Sequence, residues 1–135
     1  MYEYKCTVNK IVDGDTVDVD IDLGFGVVLT DERVRIMGID TPESRTRNKI
    51  EKLFGLAAKR RLKELLSQQC VLKTEINKDG EDMKGKFGRV LGDVVVDGVN
   101  INKSMIHDHH AVAYFGQSKD DIEKEHTKNR TNEKQ

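Results

Sequence analysis

The sequence lacks several features that mark common classes of protein. Its 135 residues include no tryptophan, one proline (Pro42) and two cysteines (Cys6 and Cys70). So little proline argues against a linker or a disordered chain. The two cysteines lack the close spacing of a zinc site, and we expect reduced thiols, although sequence alone leaves a disulfide open.

Long apolar segments are also absent from the sequence. No apolar run approaches the length of a membrane span, so we expect no membrane partner. The charged stretch MYEYKCTVNK has no apolar core of the kind that a signal peptide needs. We therefore expect a cytoplasmic protein.

The sequence also has no excess of charge of either sign: it has 23 basic and 24 acidic residues, for a net charge of -1. This balance argues against a protein that simply coats nucleic acid. The distribution is uneven: residues 45–63 hold eight bases and one acid, and residues 13–22 hold five aspartates and no base. An acidic pocket beside a basic flank suits a metal site that receives a phosphate polymer, and two solvated charged faces are the alternative.

The apolar pattern predicts a small barrel with helices, of the α+β class. A two-residue hairpin turn is predicted at Asp13-Gly14, and a turn or bulge at Asp31-Glu32. Helices are predicted at 56–68, at 101–107 and from Ser118. We expect one domain over residues 1–128 and a frayed polar tail over 129–135. The predicted strands cover residues 4–12, 16–22, 27–30, 33–39, 70–76 and 87–96.

Two carboxylates fall on the apolar side of predicted strands. Asp15 continues the apolar row of the strand at 16–22, and Asp40 continues that of the strand at 33–39. An inward carboxylate at a strand end needs a cation or hydrogen-bond donors. Together with a backbone carbonyl and water, the pair would suit Ca²⁺, which prefers six to eight oxygen ligands. Strict alternation places Arg35 on the opposite face, unless the barrel twist brings it round or alternation does not hold at that position.

Three short motifs are weak alone and specific together. They are Asp-Gly-Asp-Thr-Val at 13–17, Arg35 followed by Asp-Thr-Pro-Glu at 40–43, and Lys-Phe-Gly-Arg at 86–89. In this order and spacing they resemble the staphylococcal nuclease family, over roughly residues 5–115. The resemblance implies a five-stranded OB-fold barrel with about three α-helices.

The resemblance also implies an activity. Members of this family are Ca²⁺-dependent endonucleases that hydrolyse phosphodiester bonds of DNA and RNA with little sequence preference, usually leaving 3′-phosphate ends. The implied calcium ligands are Asp15, Asp40 and the backbone carbonyl of Thr41, with Asp13 standing behind them. The implied catalytic residues are Glu43, which positions or deprotonates the attacking water, and Arg35 and Arg89, which bind the scissile phosphate.

The implied substrate contacts depart in part from the family pattern. Phe87 stands where the family usually has a tyrosine, so a hydroxyl contact is lost while stacking remains. Lys86 keeps the adjacent charge, and Tyr114 matches an aromatic position near the base. Gly116 stands where a second tyrosine is expected, which predicts weaker base stacking. We expect the protein to be a monomer whose partner is DNA or RNA. A gene carried by a phage or mobile element would fit a nuclease that stays inside the cell.

Other interpretations of the same residues remain. A nuclease-like barrel that has lost catalysis would bind nucleic acid or protein without cleaving it. The aspartates at 18, 20 and 22 suggest an EF-hand, but Leu23 replaces its required glycine and Leu29 its glutamate. His107-Asp108-His109-His110 is either a transition-metal cluster or the polar end of a helix, and the helix end suits histidines better.

Overall fold

The structure, a computed structural model, describes residues 2–66, 68–74 and 89–133. Within these ranges, none of the helices is long and apolar enough to cross a membrane. The elements in chain order are β1 (Tyr2–Asp13), β2 (Thr16–Gly24), β3 (Val27–Ile36), β4 (Ile39–Asp40), α1 (Lys49–Leu65), β5 (Gln69–Thr74), β6 (Val90–Val96), β7 (Val99–Asn100), α2 (Ile101–His107), β8 (Val112–Ala113) and α3 (Lys119–Glu133).

Five strands close into a barrel, as predicted. The antiparallel order β3-β2-β1-β5-β6 is closed by a parallel pairing of β3 with β6, at Val34↔Val90 and Ile36↔Gly92. The twelve-residue strand β1 pairs with both β2 and β5. Closure leaves fewer unpaired strand edges than an open sheet of the same length. With three helices added, the fold is the expected OB-type α+β barrel.

The barrel interior follows the predicted alternation on β2. Val17, Val19 and Ile21 are at most 3% exposed, whereas the aspartates between them are half-buried or exposed. Helix α1 covers one side of the barrel with Ala58 and Leu62, both fully buried. Each fully buried aliphatic side chain of this size contributes about 1.5–3 kcal/mol. The core therefore depends on a small number of well-buried residues.

Strand β3 is one continuous strand, whereas two segments were predicted. Of the turn or bulge predicted at Asp31-Glu32, the structure has the bulge. The β2–β3 register shifts between Val19 and Ile21, opposite Asp31, and Asp31 has a φ of 50°. The first hairpin turn also lies one residue later than predicted. Asp13 is the last residue of β1 and pairs with Thr16, so Gly14 and Asp15 form the turn.

Helix α1 begins at Lys49, seven residues before the predicted start. Asn48 caps it by accepting hydrogen bonds from the N–H groups of Ile50 and Glu51, both at 3.1 Å. Because Gly55 is a poor helix former, the sequence leaves the start open: Ile50, Leu53 and Phe54 either extend the helix or pack before it, and the structure shows that they extend it. Gly55 lies in the helix interior, where the neighbouring chain comes too close for a side chain.

Helix α3 begins after Ser118, whose hydroxyl accepts a hydrogen bond from Asp121 N–H at 3.1 Å. The helix continues to Glu133, and fraying of the tail after Lys128 stays a prediction. Two contacts hold this part of the helix: Asn129 Nδ2 donates to Ala111 O at 3.1 Å, and the Arg130 guanidinium lies 5.6 Å from the Phe54 ring centre. Because these docking contacts are made by polar side chains, the sequence of this part of the helix looks like that of a frayed polar tail.

Cys6 and Cys70 lie opposite each other on β1 and β5, and both are buried free thiols. The hydrogen bond between them, together with burial, raises the pKa of Cys6 well above its usual value. Cys6 therefore stays protonated, in line with the expectation of unreactive reduced cysteines.

His107 forms the polar end of α2. The helix ends at His107, Asp108 caps it, and the side chain of His107 is 90% exposed. In the described ranges no group of three or more His, Cys, Asp or Glu side chains is arranged to hold a metal ion. Burial lowers the pKa of His110 below its usual value, and this effect outweighs the opposing charge of Asp108.

Because the folded state favours neutral His110, acid should weaken the fold. The unfolded chain takes up a proton at His110 below about pH 6.5, while the folded chain resists it, so stability falls as the pH drops from about 6.5 toward 5. Urea unfolding at pH 7 and pH 5 measures this loss, at most about 1.4 kcal/mol per pH unit. His110→Asn should reduce the loss and the exposed control His107→Asn should not; equal losses in both variants contradict the prediction.

Candidate catalytic site at the barrel mouth

Asp15 is a buried carboxylate in the turn between β1 and β2, only 8% exposed. Its Oδ1 accepts a hydrogen bond from the Thr16 hydroxyl at 2.9 Å, and its Oδ2 accepts one from Thr41 N–H at 3.1 Å. The carbonyl of Asp15 accepts Ile36 N–H at 2.8 Å, which ties the turn to the end of β3. Side chain and backbone are therefore both fixed at the barrel mouth.

Asp40 also lies at the barrel mouth, but strand alternation does not explain its position. Strand β3 ends at Ile36, and Gly38 turns the chain with a φ of 76°, so alternation does not continue from β3 into β4. Ile39 is the fully buried residue of β4, and the Asp40 side chain is 29% exposed. The prediction that Asp40 points inward because it alternates with Ile36 on one strand was therefore wrong, since the two residues lie on different strands. The short pairing of β4 with β8 holds Asp40 in place.

Arg35 joins the two carboxylates. Its Nη2 lies 3.4 Å from Asp15 Oδ2 and 3.7 Å from Asp40 Oδ2, and its Nη1 donates to Ile36 O at 2.8 Å. Alternation had placed Arg35 on the opposite face, which is wrong for its guanidinium. Arg35 stands one residue before the end of β3, so its long side chain can reach around the strand end into the barrel mouth. With its side chain only 15% exposed, it shares its charge between both aspartates.

Asp13 and Glu43 belong to a connected loop. Asp13 Oδ1 accepts hydrogen bonds from the Ser44 hydroxyl and from Ser44 N–H, the latter at 3.3 Å. Ser44 is buried, whereas Glu43 beside it is exposed. Asp13 therefore fixes the backbone next to Glu43 and leaves the Glu43 carboxylate open to solvent.

Helix α1 supports this loop from behind through a glycine. A Cβ on Gly55 would overlap the carbonyl of Glu43 and would lie 2.7 Å from the backbone nitrogen of Ser44. Gly14 makes a similar approach, since a Cβ there would lie 2.8 Å from the Cβ of Ala58. Real Cβ atoms do not come this close, so glycine at both positions lets α1 touch the site.

Arg89 lies beside this cluster, in a neighbouring groove of about 700 Å³ that also contains Arg33, Arg45 and Asp13. Asp18 neutralises much of the charge of Arg33 through two hydrogen bonds, at 2.9 and 3.1 Å. Thr16 lines the groove too and bonds Asp15, so groove and carboxylates adjoin. The predicted contacts Lys86 and Phe87 lie outside the described residues.

Tyr114 directly follows β8 and is 44% exposed; its N–H donates to Gly38 O at 2.9 Å. The next residue, Phe115, is 80% exposed and was not singled out from the sequence. Two neighbouring exposed aromatic residues therefore follow the strand that pairs with Asp40.

His126 is the site residue that sequence reasoning missed. It is 5% exposed on α3, and its Nε2 lies 2.7 Å from Asp40 Oδ1. One signal was available: Ile122, His126, Asn129 and Arg130 recur at helical spacing and form the less exposed face of α3. The face is mostly polar, so a search for apolar periodicity does not find it.

The geometry defines a class of protein, an OB-type barrel with an acidic cluster at its mouth and, beside it, a groove of mixed charge that contains three arginines. The chain belongs to the family of staphylococcal nuclease homologues, whose family model matches residues 33–135. That match includes the end of β3 with Arg35, the Asp40–Ser44 segment and Arg89, but not the Asp13–Thr16 turn.

Several curated proteins are similar to this chain. It is 36% identical over 100 residues to the SPbeta prophage-derived endonuclease YokF of Bacillus subtilis, which covers 74% of this chain and 31% of YokF. It is 29% identical over 119 residues to endonuclease YhcR of the same organism, covering 84% of this chain and 9% of YhcR. Thermonuclease of Staphylococcus intermedius is 37% identical over 84 residues, 62% of this chain and 44% of that protein. The chain thus spans less than half of each of these relatives.

Gly55→Ala should destabilise the protein by about 1–3 kcal/mol, because overlap with the Glu43 carbonyl outweighs the gain of up to about 1 kcal/mol in helix propensity. Urea unfolding gives the free energy of unfolding. Lys52→Ala, on the exposed face of the same helix, should change it by less than about 0.5 kcal/mol. A Gly55→Ala variant as stable as the parent would contradict the close approach of α1.

Proposed function

We propose that this chain is a Ca²⁺-dependent endonuclease that hydrolyses DNA, RNA or both with little sequence preference and leaves 3′-phosphate ends. The observation that carries the proposal is the convergence of Asp15 and Asp40 on the single guanidinium of Arg35. Family membership and the printed names of the relatives, endonuclease and thermonuclease, support the same activity. A prophage-derived relative also fits a gene carried by a mobile element.

The donor set fits Ca²⁺. Asp15 and Asp40 offer hard carboxylate oxygens, and with Arg35 they leave one net negative charge to attract a cation. The Thr41 hydroxyl is buried next to Asp15 and has no hydrogen-bond partner among the described residues, as expected beside a site that takes water or an ion. We assign Asp15, Asp40 and the Thr41 carbonyl as ligands. Two carboxylates suffice because Ca²⁺ accepts backbone carbonyls and water for the rest.

Bound there, Ca²⁺ would act as a Lewis acid on a phosphate oxygen and offset the charge of the transition state. We assign to Glu43, exposed beside the loop residue that Asp13 holds, the role of positioning or deprotonating the attacking water. Arg35 and Arg89 supply N–H donors for the phosphate oxygens, and their planar guanidinium groups suit two oxygens at once. Asp13 keeps the loop in place without touching the substrate.

Tyr114 is the substrate contact that the described residues support best, because an exposed ring beside the site can stack on a base. Lys86 and Phe87 remain proposed contacts from the motif alone. A monomer and a cytoplasmic setting likewise remain expectations.

Cleavage should depend on calcium and on Asp40. Single- and double-stranded DNA and RNA are incubated with Ca²⁺ or with a chelator, and the product ends are tested for 3′-phosphate. Asp40→Asn should lower kcat/KM at least about 100-fold, since a metal contributes several kcal/mol to the transition state. Asp120→Asn, an exposed aspartate at the start of α3, is the matched control. Cleavage that is unchanged by the chelator overturns the calcium assignment. Binding of nucleic acid without cleavage identifies a catalytically inactive binding module.

Replacing either arginine by lysine should impair cleavage. Either change removes the planar donor pair and should lower kcat/KM about 10- to 100-fold. Arg35→Lys should also lower the free energy of unfolding, because Arg35 is the partner of two carboxylates. Steady-state kinetics and urea unfolding measure the two effects. Unchanged stability in Arg35→Lys would count against the ion pairs of Arg35, and unchanged kcat/KM in either variant would count against its phosphate contact.

A further inference from the structure

Helix α3 delivers one buried histidine to the barrel mouth. His126 is 5% exposed and its Nε2 lies 2.7 Å from Asp40 Oδ1, a short separation for an N–H···O hydrogen bond. An ionised carboxylate only accepts, so the imidazole donates through Nε2–H. Among the described residues this is the hydrogen bond that His126 makes, and it is directed at a proposed calcium ligand, so the buried imidazole needs an explanation.

We propose that His126 is a positioning residue that orients Asp40 for calcium. The inference rests on the proposed function, because it takes Asp40 as a ligand. His126 holds Oδ1 of Asp40, and Oδ2 then faces the guanidinium of Arg35 at 3.7 Å. Oδ2 of Asp15 faces the same nitrogen at 3.4 Å. The Oδ2 atoms of Asp15 and Asp40 therefore converge on the same nitrogen of Arg35.

Asp15 shows the same arrangement built from local groups. The Thr16 hydroxyl bonds its Oδ1 at 2.9 Å, so His126 does for Asp40 what Thr16 does for Asp15. Asp40 needs a distant donor because it sits on a two-residue strand and is 29% exposed, while Asp15 is buried in a tight turn. Groups that hydrogen-bond a metal ligand typically change metal affinity by about 10- to 100-fold.

The helix that carries His126 is anchored independently of this contact. Asn129 bonds the carbonyl of Ala111, and Arg130 lies over the ring of Phe54. Ala111 directly precedes Val112, which pairs with Asp40 across β8 and β4. Replacing His126 therefore removes one hydrogen bond to Asp40 and leaves the docking of α3 in place.

The test compares three variants by calorimetric titration with CaCl₂ alone. His126→Leu keeps bulk without a donor, and its Kd for Ca²⁺ should rise about 10- to 100-fold. His126→Gln keeps an amide N–H near the position of Nε2 and should stay within about threefold of the parent. Asn129→Leu weakens an anchor of α3 but keeps the imidazole donor of His126; it should lower the melting temperature and raise the Kd much less than His126→Leu does.

Cleavage kinetics give a second readout. If His126 orients Asp40, saturating Ca²⁺ should restore most of the kcat of His126→Leu, because the defect lies in calcium binding. A parent-like Kd for His126→Leu, or a Kd that rises equally in Asn129→Leu, overturns the positioning role. If the parent protein itself neither binds Ca²⁺ nor cleaves, the proposed function fails and this inference with it. A parent that binds and cleaves alongside an unaffected His126→Leu refutes this inference alone.

Discussion

The ion pairs between Arg35 and the carboxylates of Asp15 and Asp40 set the conditions for the rest of the barrel mouth. Two carboxylates brought together out of bulk water repel each other and lose solvation unless cations and donors compensate. Arg35 supplies the cation, and Thr16, Thr41 and His126 supply the donors. Strand closure, the β4–β8 pairing and the docking of α3 bring these groups to one place.

Rigidity around the site comes mainly from backbone contacts. The Asp15 turn bonds the end of β3, and the β3–β4 turn is tied to β6, since Met37 N–H donates to Gly92 O at 2.9 Å. Asn102 of α2 donates to the Met37 carbonyl at 2.6 Å and binds the same turn from the other side. Helices and barrel thus converge on the short segment between Arg35 and Asp40, which carries both the arginine and one carboxylate.

Much of the fold and part of the site could be predicted from the sequence. Strand alternation on β2 was strong enough to place Asp15 inward, and motif spacing selected the residues that the structure gathers. The reason given for Asp40 failed because Gly38 turns the chain between β3 and β4, and alternation does not survive a turn. Helical spacing marks the face of α3 that carries His126, but not its contact with Asp40, since 86 positions separate the two residues.

The separation between Asp40 and His126 also bears on the order in which the site can form. A chain synthesised from its N-terminus presents both carboxylates early, while the strand that pairs with Asp40 and the histidine that orients it are made some seventy to ninety residues later. Both carboxylates are therefore synthesised well before their full set of partners. Completion of α3 supplies the last of these partners, and only then can the two aspartates form the ordered site.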